Sequence, residues 1–210
     1  GENDGVRATF EEASEVYSAG GYRFRLERVA EAPSELWAMA FLPDGGMIAS
    51  QKNGQLVRFV EGQPPEQIVG TPPVWDRVQG GLFGVLPHPD YATNGWLYLA
   101  FADVGAGDGM ENATMTRIVR GRIEGRRWVD QEEIYKAAPE FYTSAYAHFG
   151  GRMVLLDGYL YFTVGDRTTM RFAQDLSRPF GKIHRVHEDG RVPEDNPFAG
   201  REGALPTIWS

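Results

Sequence analysis

Cysteine is absent from all 210 residues, which excludes disulfides, thiol catalysis and thiolate-held metals. No apolar run approaches the roughly 20 residues that a membrane-crossing helix needs, so no membrane span is expected. Positive charge is scarce too: 21 Lys and Arg against 29 Asp and Glu leave a net charge of −8. Such a chain repels phosphate backbones, and nucleic acid is not expected as a partner. The first residues are small and acidic and do not resemble a secretory signal. The chain therefore reads as cytoplasmic or as a mature form whose signal has been removed.

What is present is turn chemistry and aromatic residues. The 26 Gly, 13 Pro and 12% aromatic content fit many short strands joined by tight turns better than they fit helices. Residues 1–20 lack periodicity and read as a loose leader, followed by one β-rich unit over 21–210. Tyr22-Arg23-Phe24-Arg25-Leu26 alternates apolar and polar residues, the signature of a half-buried strand. Further strand-like runs are Leu36 to Leu42, Met47 to Ser50, Gln55 to Phe59, Trp96 to Phe101, Met153 to Leu156 and Tyr159 to Val164. Asn53-Gly54, Asn94-Gly95, Asp157-Gly158 and Asp189-Gly190 punctuate them, and such pairs favour hairpin turns because they accept positive φ.

Phe41-Leu42-Pro43-Asp44-Gly45, His88-Pro89-Asp90-Tyr91 through Asn94-Gly95, and Leu155-Leu156-Asp157-Gly158 place a strand, a Gly turn and another strand in the same order. They read as degenerate repeats of one antiparallel unit, hence as blades of an all-β propeller. Their spacing exceeds the roughly 40–45 residues of WD40 blades, so long loops are expected. About three blades fit the chain, and a closed ring takes roughly four to eight. A β-sandwich is the alternative for so many hairpins. Gly105-Ala106-Gly107-Asp108-Gly109 is not a dinucleotide loop, because no βαβ unit surrounds it.

Four stretches carry a more specific likeness: Phe41 to Gly45; Gln79-Gly80-Gly81-Leu82 through Asn94-Gly95; His148-Phe149-Gly150-Gly151-Arg152 through Val164-Gly165-Asp166-Arg167; and Ala173-Gln174-Asp175-Leu176 through Gly181-Lys182-Ile183 to Asp195-Asn196-Pro197-Phe198. In order and spacing they resemble the glucose/sorbosone dehydrogenase family, over roughly residues 25–210. The resemblance implies a six-bladed propeller with four-stranded blades. It implies oxidation of aldose sugars at the anomeric carbon to lactones, by hydride transfer to pyrroloquinoline quinone (PQQ), with calcium as a second cofactor. It also implies that most of the cofactor clamp and the calcium ligands belong to blades after Ser210. Periplasmic or secreted work with an external electron acceptor follows from the same likeness. A missing half or a second copy is then expected to close the propeller.

The resemblance points to His148 as the base that takes the anomeric hydroxyl proton, a role suited to an imidazole near neutral pH. Asp166 is expected to accept from the other ring nitrogen, fixing the tautomer and stabilising the imidazolium. Without the family, each has an ordinary reading: a buried loop histidine, and a strand-end turn residue bonding backbone amides. Gln79 is expected to contact the cofactor or a sugar hydroxyl, with Gly80 and Gly81 letting backbone approach the ligand. Arg152 reads as the partner of a carboxylate beneath the site. His88 reads as a turn residue, and His184 with His187 as strand residues without a third metal ligand. Asp189, Glu194 and Asp195 form an acidic turn. Two other functions are open: a non-catalytic propeller module that binds carbohydrate or protein, and a metal-dependent lactonase, for which the channel residues are poor in carboxylates.

Overall fold

A computed structural model describes residues 16–105 and 112–210. Residues 1–15, most of the expected leader, and residues 106–111, which include most of the glycine-rich stretch that is not a dinucleotide loop, lie outside the described residues. The end of the leader stretch is a strand: β1 (Val16–Ala19) pairs with β2 (Tyr22–Arg25) in an exposed hairpin.

Turn residues set the strand ends. Asp157-Gly158 joins β11 (Gly150–Leu156) to β12 (Tyr159–Val164), and both turn residues have positive φ, 51° and 80°. Leu156 pairs directly with Tyr159, the two-residue geometry that Asp-Gly favours. Between β3 (Leu36–Phe41) and β4 (Met47–Gln51), the Asp44 carboxylate accepts from the Gly46 amide at 2.9 Å. Asn94-Gly95 behaves differently from the hairpin expected of it. Tyr91–Asn94 winds into one helical turn, which Gly95 caps at φ 69° with its amide donating to the Tyr91 carbonyl. The Asn94 side chain is engaged locally, accepting from the Trp96 amide at 2.9 Å and meeting the His88 ring at 2.9 Å.

The remaining strands are β5 (Leu56–Phe59), β6 (Glu66–Ile68), β7 (Leu82–Pro87), β8 (Leu97–Val104), β9 (Thr114–Glu124), β10 (Arg127–Lys136) and β13 (Lys182–His187). They form three antiparallel sheets, β3-β4-β5-β6, β7-β8-β9-β10 and β11-β12-β13. Residues 207–210 extend the third, since Arg185 N donates to Thr207 O and Trp209 N to Ile183 O. β7 packs against both β3 and β11, so the first strands of successive sheets stand side by side. This is the arrangement of consecutive propeller blades, and the all-β propeller reading holds with three blade sheets beside the β1-β2 hairpin among the described residues.

Alternation divides the middle sheet between two cores. Leu97, Leu99 and Phe101 point to the first sheet, joining Ile48, Leu56 and Ile68. Tyr98, Ala100 and Ala102 point to the third, joining Leu160, Phe162 and Val164. All six β8 residues are at most 1% exposed, and each large one contributes about 1.5–3 kcal/mol through burial. The site described next lies where the first strands meet.

Candidate active site

Hairpin register brings two distant residues together. Gly150 pairs with Val164, so the residues just before β11 and just after β12 face each other. Gly165 lets the two backbones close: a β-carbon there would lie 1.9 Å from the His148 carbonyl oxygen. Its amide donates instead to the Phe149 carbonyl at 3.0 Å. His148 and Asp166 are thereby placed with Nδ1 and Oδ1 2.7 Å apart. A carboxylate can only accept, so Nδ1 carries the proton and Nε2 keeps a free lone pair. Asp166 is itself fixed, because the same oxygen accepts from the Thr168 amide at 3.0 Å. The His148 side chain is 53% exposed and that of Asp166 21%, so the ring opens outward over a shielded carboxylate.

His148 lies in the left-handed region at φ 55°, which costs a non-glycine residue about 1 kcal/mol or more. Neighbours hold it there. The Gln79 carboxamide oxygen accepts from the His148 amide at 2.9 Å, so Gln79 contacts the backbone of His148. Gly80 and Gly81 do not make room for a ligand as expected. A β-carbon at Gly80 would strike Trp75 at 2.2 Å, and one at Gly81 would strike the Lys52 carbonyl at 2.6 Å. The space is already filled by protein.

Behind the loop, Arg167 is 1% exposed. Its guanidinium donates to the Ala147 carbonyl at 2.6 Å, to Thr114 Oγ1 at 2.8 Å, to the Thr114 carbonyl at 3.4 Å and to the Ala145 carbonyl. It lies 3.5 Å over the Phe149 ring, which packs against Trp75 and Phe83. Burial without a carboxylate pushes its pKa down to about 10. Nothing in the sequence separates this arginine from a surface one; only the strand register places it under the loop.

In front of the imidazole, Trp37, Gln79, Phe83, His148, Phe149, Gly150 and Arg152 line a hollow of about 200 Å³. Larger hollows lie away from His148: about 520 Å³ between β10 and residues 205–207, and about 570 Å³ beside β13. At the smaller one an imidazole oriented by Asp166 and the Gln79 carboxamide come together. Arg152 departs from expectation. Among the described residues no carboxylate lies within 4.0 Å of its guanidinium, and it faces the hollow exposed. Asp166 is engaged with His148 and Thr168 instead.

His88 and His184 are engaged in local contacts. His88 bonds the Asp90 amide and meets Glu188 at 3.2 Å. His184 is fully buried, stacked on Phe162, with Nε2 donating to Pro179 O and Nδ1 accepting from Thr207 Oγ1. Burial pushes its pKa down to about 4. Asp189 pairs with Arg191 and Asp195 with Arg185, so the acidic turn is neutralised locally. Among the described residues no three His, Asp or Glu stand where they could hold a metal ion, and no helix is long and apolar enough to cross a membrane.

Comparison with known proteins matches residues 31–210 to the family described as Glucose / Sorbosone dehydrogenase. The aldose sugar dehydrogenase YliI of Escherichia coli K12 is 35% identical over 179 residues, 83% of this chain and 47% of that protein. Among solved structures, the soluble aldose sugar dehydrogenase of Escherichia coli in its apo form superposes with a TM-score of 0.76 at 33% identity, over 84% of this chain and 50% of that one. The PQQ-bound aldose sugar dehydrogenase of Streptomyces coelicolor shares the fold, with a TM-score of 0.70 at 23% identity, over 96% and 54%. The chain thus spans about half the length of these relatives.

Proposed function

Because the chain belongs to the glucose/sorbosone dehydrogenase family, we propose that its His148 site serves the oxidation of an aldose at the anomeric carbon to a lactone, with PQQ as the cofactor. The observation that carries this is the 2.7 Å contact of His148 with Asp166, which leaves a basic ring nitrogen facing the hollow. His148 Nε2 takes the proton of the anomeric hydroxyl while the C1–H bond breaks and the carbonyl of the lactone forms. Asp166 accepts from Nδ1 throughout and stabilises the imidazolium. The quinone supplies, when bound, the acceptor for the hydride.

The donor set fits one end of a flat, anionic quinone. Trp37 presents a ring, Arg152 an unpaired guanidinium that can hold a carboxylate, and Gln79 an oriented carboxamide. Among the described residues no three His, Asp or Glu side chains cluster to hold a calcium ion.

An aldose substrate is supported by the aldose sugar dehydrogenases that the chain resembles, and we propose with it an external electron acceptor and a periplasmic or secreted location. Closure of the ring by further blades or a second copy belongs to the same reading. Apolar residues on the outermost first strands support closure, with Met39 55%, Phe41 72%, Val154 57% and Leu156 56% exposed. The test is titration of the chain with PQQ and calcium, followed by quinone absorbance, then addition of an aldose. Sugar-dependent bleaching that falls on the order of 100-fold or more in His148→Ala is expected for loss of a general base. Bleaching undiminished in that variant overturns the role of His148, and binding without bleaching favours a carbohydrate- or protein-binding module.

A further inference from the structure

We propose that Arg167 is a positioning residue of this site, holding the backbone before His148 and the ring of the residue after it so that the imidazole meets Asp166. The proposal rests on the reading of His148 as the base.

Three observations converge. The guanidinium bonds the carbonyls of Ala145 and Ala147 and both oxygens of Thr114, so one side chain ties the loop before His148 to β9. It also lies 3.5 Å over the ring of Phe149, the residue after His148. Between these anchors His148 adopts φ 55°, a conformation that persists only where the surroundings over-determine it. Among the described residues no carboxylate pairs with Arg167, and its Nε finds no partner. A buried cation without a counter-ion is an expensive way to stabilise a fold, since an apolar residue of the same size serves packing as well. Its planar fork is what distinguishes it, because a fork can span several fixed carbonyls at once.

The molecule holds a contrasting device. Lys182 is 4% exposed and donates from one ammonium to the carbonyls of Phe172, Ala173 and Phe180 at 3.0, 2.6 and 3.0 Å. A point donor suffices where three carbonyls already converge. At Arg167 the acceptors are spread over Thr114, Ala145 and Ala147, which an ammonium cannot bridge together.

The test uses Arg167→Met and Arg167→Lys in the full chain, with histidine labelled by ¹⁵N and the His148 signals assigned by their loss in His148→Gln. Wild type is expected to show a single tautomer protonated at Nδ1. In Arg167→Met the two tautomers average. When sugar oxidation is measured, kcat falls on the order of 100-fold with KM little changed, as misplacement of a reacting group produces. Arg167→Lys is expected to give a smaller shift in the same direction, and it carries the test should Arg167→Met not fold. A folded variant that melts at lower temperature yet keeps the wild-type His148 spectrum overturns the proposal. The spectrum needs neither sugar nor cofactor. Failure of the dehydrogenase reading shows instead as a wild-type chain that oxidises no sugar, while the spectrum still decides on Arg167.

Discussion

The middle sheet and the third sheet share an antiparallel plan and differ in what covers them. In β8 of the middle sheet, successive residues from Leu97 to Ala102 are buried whichever way they point. In β12 of the third sheet only alternate residues are: Leu160, Phe162 and Val164 are at most 1% exposed, while Tyr159, Tyr161 and Thr163 are half-buried. The composition follows. β8 carries no charge until Asp103, whereas the open side of the third sheet is built from Tyr159, Tyr161, Arg185 and Trp209, with the Arg185 guanidinium lying between the Tyr159 and Trp209 rings at 4.5 and 4.3 Å. The candidate site is anchored through Phe149, Phe83 and Trp75 in the sealed core, while the His148 side chain beside them is 53% exposed. A rigid floor beneath an accessible group is what oriented proton transfer requires.

The comparison is broken most directly in the middle sheet. Phe101→Ala removes a ring from a fully buried position and is expected to cost about 3–5 kcal/mol in urea unfolding. A loss equal to that of a third-sheet surface substitution would erase the distinction.

A smaller effect sharpens the third sheet. His184 is neutral in the folded chain, with its pKa at about 4 against an unfolded value of 6.5. The unfolded state therefore binds the extra proton between those values. The stability from keeping this histidine neutral is complete above pH 6.5 and is lost as pH falls to 4, by about 3 kcal/mol in all. Urea midpoints across that range should show this component in wild type and not in His184→Phe; an unchanged pH slope in the variant counts against it.

The smallest effect is expected on the open face. Val154→Ser, at a 57% exposed position, should shift stability within about 0.5 kcal/mol. A larger loss in the purified chain would mean that a second copy already covers that face, and sedimentation would then show a dimer.

Strand position was legible wherever alternation was clean. β11, β12 and their Asp-Gly turn follow directly from the residues, as does β8 from its unbroken apolar run. β9 and β10, the longest strands at eleven and ten residues, were not. Their half-buried positions carry Arg117, Arg120 and Arg122 opposite the exposed Glu133, Glu132 and Asp130. The pairing also shifts register between Val129 and Glu132 and between Glu133 and Tyr135, which blurs a period of two. Asn94-Gly95 misled because the same dipeptide that favours a hairpin also stops a helix. Within the site, residue types pointed to His148, Asp166 and Gln79, but their contacts depend on the register of Gly150 with Val164. Arg167 and the free guanidinium of Arg152 carry no local signal, since burial and pairing are properties of the assembled sheets.

Positive φ at residue 148 bears on how this sequence tolerates change. The neighbouring left-handed positions, 150 and 151, are both glycine, at φ 78° and 89°, the residue that pays nothing for that conformation. Position 148 has the same backbone demand and carries an imidazole. Arg167 and Thr168 at the facing strand end share that demand, at φ 50° and 61°, and on the proposed reading the histidine trades robustness for reactivity. In a lineage whose copy had lost its substrate, position 148 would be among the first to relax.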